Sequence, residues 1–146
     1  MDLKTKQLYK YVIGILALGC ILIAVVFIAA SPTPPFTEHK IQSTEDISTF
    51  MNSIGWEIDI KHVEKKATLI PDEFNDVFED YNKLQLTQGC DLSKYKGKAV
   101  EIYTMPITNY NSTSNNVYAT LIVHKKRVIA GDIHSADING FMHTLR

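Results

Sequence analysis

Cys90 sits in the stretch TQGCDLSKYKGKAV, residues 87–100, with Asp91 beside it and Lys94, Lys96 and Lys98 close behind. A thiol becomes a nucleophile when a base or a cationic setting lowers its pKa. His124, His134 and His143 could bring the base from other elements. The same letters also describe chain punctuation. Gly89 would end a helix in a left-handed conformation, Cys90 would make a small apolar contact, and Asp91 would cap a short turn. Leu92 and Tyr95 would then fold onto the core, and Gly97 would turn into a strand. No cysteine-protease signature surrounds the thiol, so punctuation is the expectation.

Three further constellations carry chemistry. In GDIHSADINGFMH, residues 131–143, Asp132 and His134 share one face of a strand, because side chains repeat every two residues. Asp137 and His143 follow after a turn. Two Asp and two His could ligate zinc, but the spacing lacks the tight pairs that specify such a site. The expectation is therefore no metal, with Asp132 bonding backbone N–H groups at a bulge made by Gly131; Asp132, His134, Asp137 and His143 are the alternative metal set. Asp72, Asp76 and Asp80 recur every four residues on a predicted helix and would line one face. Like charges at that spacing cost ~0.2–0.5 kcal/mol per pair, which a cation or a basic partner would relieve. No calcium-loop pattern accompanies them. Trp56, Tyr103, Tyr110 and Tyr118 could form a groove for a peptide or a glycan, or simply cover the sheet.

These residues must be positioned by a chain of 146 residues with a formal charge of −1, which leaves room for one domain and gives no nucleic-acid footprint. Lys4, Lys6 and Lys10 make residues 1–10 basic, and the uncharged run YVIGILALGCILIAVVFIAA, residues 11–30, follows at once. Twenty residues at ~1.5 Å rise span ~30 Å, the thickness of a bilayer core. The run predicts a membrane helix, and the lysines before it predict a cytoplasmic N-terminus with the rest outside the cell membrane. It is longer than a signal-peptide core, and a lipidated Cys20 would leave an apolar tail in place of a polar tether. Cys20 and Cys90 then lie in different compartments and cannot pair within one chain.

Residues 31–43, with Pro32, Pro34 and Pro35, read as an extended tether, and residues 44–146 as the extracytoplasmic domain. A helix is predicted over 44–54, capped by Ser43 with Asp46, with Ile47, Phe50, Met51 and Ile54 on one face and Gly55 at its end. WEIDIKHV alternates as a strand over 56–63, and ATLI, residues 67–70, as a second. Pro71 opens a helix over 72–88 with Phe74, Val77, Phe78, Tyr81 and Leu84 inward. KAVEIYTMPI, VYATLIVH and RVIAGDIHS predict three meander strands, and the C-terminal ADINGFMHTL a short edge element. The order α-β-β-α-β-β-β predicts an α+β domain, two helices packed on one face of a curved antiparallel sheet.

Over residues 47–143 the chain resembles the bacterial family termed domain of unknown function 4830. Its marks here are Gly55–Trp56, Ile70–Pro71, Tyr81–Asn82, Gln85, Gln88–Gly89, Asp91–Leu92, Tyr95, Gly97, Asn109–Tyr110, Gly131–Asp132 and Gly140–Phe141–Met142. The resemblance implies a single-pass envelope protein without an assigned activity. It also implies a large apolar residue after Gly89, so Cys90 departs from the pattern and its catalytic reading weakens. The element order is similar in outline to cystatin-like and PepSY-like modules. Together these lead to one expectation: a membrane-anchored module that binds an envelope protein or a cell-wall component, without catalysis and without a cofactor. The alternative is an envelope hydrolase using Cys90 or the Asp/His set.

Overall fold

The computed structural model describes Phe36, residues 39–111 and residues 116–146. The expected basic tail (1–10), membrane helix (11–30) and first part of the tether (31–35) lie outside the described residues. Among the described residues, no helix is long and apolar enough to cross a membrane.

Helix α1, Thr44–Ser53, forms as its sequence requires. Ser43 Oγ accepts from the Asp46 N–H at 3.2 Å, and the Asp46 carboxylate accepts from the Ser43 N–H at 3.0 Å, closing a capping box. Hydrogen bonds from the Gln42 and Ser43 N–H groups hold the Asp46 carboxyl below its usual range. Ile47, Phe50 and Met51 are buried as the stripe predicts, and Gly55 (φ +95°) turns the chain out of the helix.

The strand expected over 56–63 does not form. Ile58 makes an isolated bridge to Ile107, and Ile60–His62 is a 3₁₀ turn. Asp59 explains the difference: its side chain accepts from the Lys61 N–H at 3.0 Å, so a local bond replaces a ladder bond. Strand β1 instead runs Glu64–Leu69 and takes in the residues expected to turn. It is an edge strand, and most of its side chains are exposed, so burial imposed no alternation on it.

Helix α2 is shorter than expected, Asp76–Thr87, because Asn75 caps it; Asn75 Oδ1 accepts from the Phe78 N–H at 2.9 Å. Upstream, Ile70 exchanges backbone hydrogen bonds with Gly97 and Lys98, which holds it beside the sheet instead of in a helix. Val77, expected inward, is 78% exposed, and the residues that α2 buries fully are Asn82 and Gln85. A second 3₁₀ turn, Leu92–Tyr95, follows, started by Asp91.

Strands β2 (Ala99–Pro106), β3 (Val117–His124), β4 (Arg127–Ser135) and β5 (Met142–Thr144) complete a sheet in the order β1-β2-β3-β4-β5, antiparallel throughout. β3 and β4 match their expected bounds, and β5 is the expected edge element. Ile122 pairs with Ala130 but Val123 with Val128, so the bulge lies at Ile129 and not at Gly131. Gly131 answers a different demand. A Cβ there would lie 2.6 Å from the Thr120 carbonyl oxygen and 2.8 Å from Leu145 Cδ1.

Register separates the two faces of the sheet. Lys65, Tyr103, Leu121 and Gly131 lie across from one another on one face; Glu64, Thr104, Thr120 and Asp132 lie across from one another on the other. α1 is tied to the sheet at both of its ends. The Ile41 N–H donates to the Lys126 carbonyl just before it, and Trp56 Nε1 donates to the Leu145 carbonyl just after it, each at 2.8 Å. α2 reaches the second face through Tyr81, whose hydroxyl donates to Asp132. Phe50, Leu92, Met105, Leu121, Ile133 and Leu145 anchor the core.

Candidate functional site

The fully buried residues of α2 are polar, and with their neighbours they build the best-organised constellation in the domain. Gln85 Oε1 accepts from the Gly131 N–H at 3.0 Å and from Gln88 Nε2 at 2.7 Å. Gln88 Nε2 donates to the Gly131 carbonyl at 2.7 Å, and Gln88 Oε1 accepts from the Leu145 N–H at 3.1 Å. Two glutamines thus continue the hydrogen bonding of β4 where β5 ends. One turn earlier, Tyr81 donates to Asp132 Oδ2 at 2.7 Å, and His134 Nδ1 donates to Asp132 Oδ1 at 2.8 Å. Asp132 is 2% exposed. Burial, then the negative charge of Asp132, raises the Tyr81 hydroxyl well above its usual pKa, so it stays a donor.

His134 carries this buried chain to the surface. Asp132 fixes its Nδ1 side, so Nε2 is the nitrogen turned away from the carboxylate. Its ring stacks on Tyr118, centroids 6.1 Å apart and planes 22° apart. Both line a groove of about 520 Å³ with His62, Glu64, Thr104 and Pro106. His62 is oriented in the same way, its Nδ1 donating to Asp59 Oδ2 at 2.6 Å. That bond and the Lys61 N–H hold the Asp59 carboxyl below its usual range. The groove thus presents two carboxylate-oriented imidazoles, a carboxylate, a hydroxyl and an aromatic face. This set hydrogen-bonds and stacks; no cysteine lines it.

The other expected sites are distributed differently. Of the proposed metal set, Asp132 and His134 meet, but Asp137 accepts from Asn116 and Ser135. His143 has both nitrogens engaged, Nδ1 donating to the Thr144 carbonyl at 2.7 Å and Nε2 accepting from the Tyr110 hydroxyl at 2.9 Å. Among the described residues, no group of three or more His, Cys, Asp or Glu is placed to hold a metal ion. Asp132 bonds side chains, not the backbone N–H groups expected of it. Cys90 is 6% exposed, and burial pushes its thiol up to about 11, opposite to the shift a nucleophile needs.

The acidic ridge is broken. Asp72 precedes α2 and lies beside Gly97, Asp76 stands in the first turn, and Asp80 accepts from Lys83 Nζ at 2.7 Å. The four aromatics fall in three places. Trp56 stacks on Tyr110 at 5.6 Å, Tyr110 stacks on Phe141 at 5.1 Å, and His143 joins the same cluster. Tyr103 is buried on the face carrying Lys65, while Tyr118 serves the groove on the other. Sequence reasoning missed His62 and the buried pair Asn82 and Gln85. The signal for the pair was present: Tyr81–Asn82, Gln85 and Gln88 were among the family marks, at helical spacing and polar on a side that had to be covered.

A family model described as a domain of unknown function (DUF4830) matches residues 50–133, more than half of the chain. No curated protein and no solved structure matches it.

Proposed function

The chain belongs to the DUF4830 family, and from that premise we propose that it is a single-pass membrane protein whose α+β domain, held outside the cell by residues 11–30, binds an envelope component without catalysing a reaction. The observation that carries the binding reading is the groove with its paired imidazoles, each pinned by a carboxylate through Nδ1. Fixed hydrogen-bonding groups, Nε2 acceptors among them, beside an aromatic face suit a polymer rich in hydroxyl and amide groups, such as wall material. Burial and the raised thiol of Cys90 argue against a cysteine hydrolase. The dispersal of Asp137 and His143 argues against a metal hydrolase. The uncharged run at 11–30 and the lysines before it support the anchor and its orientation. We also read the helix-and-meander outline as cystatin-like or PepSY-like, a likeness of shape that assigns no function.

Retention of the detergent-solubilised full chain on insoluble wall material tests the binding reading. Wild type is retained, and Tyr118→Ala or His134→Ala each weakens retention about tenfold, ~1.4 kcal/mol. Equal retention of wild type and both variants moves binding away from the groove. No retention of wild type overturns the wall ligand.

A further inference from the structure

The two-residue turn between β3 and β4 is Lys125–Lys126, with φ of +47° and +67°. A turn of this kind favours Asn-Gly, because side chains other than Gly, Asn and Asp are strained at positive φ. Two lysines are held there in a conformation that their backbone disfavours. Strain of this kind clusters at functional sites and ligand clamps.

Several features converge on this end of the domain. Lys125 and Lys126 line a second groove, of about 450 Å³, with Lys65 at its rim and Ile41 and Val123 on its floor. Among the carboxylates close by, Glu101 is paired with Lys65 at 2.6 Å, and Asp46 is turned into the α1 cap. The chain enters the domain here. Lys40 forms a bridge with Arg127, and the Ile41 N–H donates to the Lys126 carbonyl. About ten residues separate Lys40 from the end of the uncharged run, at most ~36 Å of extended chain. A cationic rim over an apolar floor, this close in sequence to a membrane segment, is complementary to one occupant.

We propose that the Lys65–Lys125–Lys126 groove takes the headgroup of an anionic phospholipid from the bilayer in which residues 11–30 are anchored, so that this end of the domain docks on the membrane surface. The proposal rests on the anchor reading given above. The lysine ammonium groups meet the phosphate, and the floor receives the first methylenes of the acyl chains. The short tether supplies a high effective concentration of lipid, so weak contacts suffice.

The test uses the full chain in vesicles of phosphatidylcholine alone, or of phosphatidylcholine with phosphatidylglycerol. Flotation reports the anchor, and amide exchange over residues 122–128 reports docking. The expected result is flotation with both vesicles and severalfold slower exchange in the anionic ones, abolished by about 0.5 M salt, which shortens the screening length to a few Å. Lys125→Asn with Lys126→Gly removes both charges while installing the favoured turn, so it folds at least as well and loses the difference. Flotation with both vesicles but equal exchange overturns the docking proposal and leaves the anchor intact. Failure to float with neutral vesicles overturns the anchor. Slower exchange produced by glycerol phosphate in neutral vesicles shows a site for a soluble anion and also overturns the lipid assignment.

Discussion

Cys90 and Gln85 show how a residue's chemistry follows from what surrounds it. Both are buried, one with no call on its polarity and the other bonded to the sheet. For Cys90, a folded-state pKa of about 11 exceeds the unfolded value, so the native state keeps its proton longer than the unfolded state. The thiol's contribution to stability is therefore intact below about pH 9 and declines as pH rises towards 11. The stability of wild type relative to Cys90→Ala should fall across that window in urea titrations. At pH 8 the native thiol should resist alkylation by iodoacetamide and react only on unfolding. For Gln85, truncation to Ala leaves the Gly131 N–H buried without its partner and opens a cavity. A loss of about 2–4 kcal/mol in the same titrations is expected, well above the cost of truncating an exposed residue such as Gln42. The sequence marked Gln85 as unusual by type and spacing. It could not mark His62, whose role depends on a turn that Asp59 makes and on a strand that starts at Glu64.

At the scale of elements, legibility followed burial. α1, β3 and β4 stood out because each has a strongly covered side or a turn with a local signature. β1 did not, since an exposed edge strand has no inner face to write into the sequence. The start of α2 was displaced because Pro71 is permitted in a first turn, whereas Asn75 supplies a bond that selects the start. Asn75→Ala should therefore cost about 1 kcal/mol, read from thermal or urea unfolding, while Pro71→Ala should leave α2 intact by circular dichroism. The mistaken start also produced the acidic ridge. Once the helix begins at Asp76, Asp72 has no helical register to share with it. A Gly131→Ala variant addresses packing between elements. Its Cβ meets the fixed Thr120 carbonyl and the yielding Leu145 side chain, so an overpacking cost of about 1–3 kcal/mol is expected.

For the molecule as a whole, register puts the two grooves on opposite faces of one sheet. Glu64, Thr104 and Tyr118 line one; Lys65, Tyr103 and Val123 line the other. No described side chain lines both, and sites without shared partners act additively, within about 0.3–0.5 kcal/mol. Wall retention and lipid docking should then be separable. Tyr118→Ala should weaken retention on wall material while leaving the anionic-lipid effect on exchange at 122–128 unchanged. The Asn-Gly turn variant should do the reverse, and a double-mutant cycle over the two readouts should show no coupling. Coupling above ~1 kcal/mol would mean that the sheet transmits occupancy from one face to the other. In that case Tyr103, whose ring lies on the lysine face and whose neighbour Thr104 lies on the histidine face, is the first position to substitute.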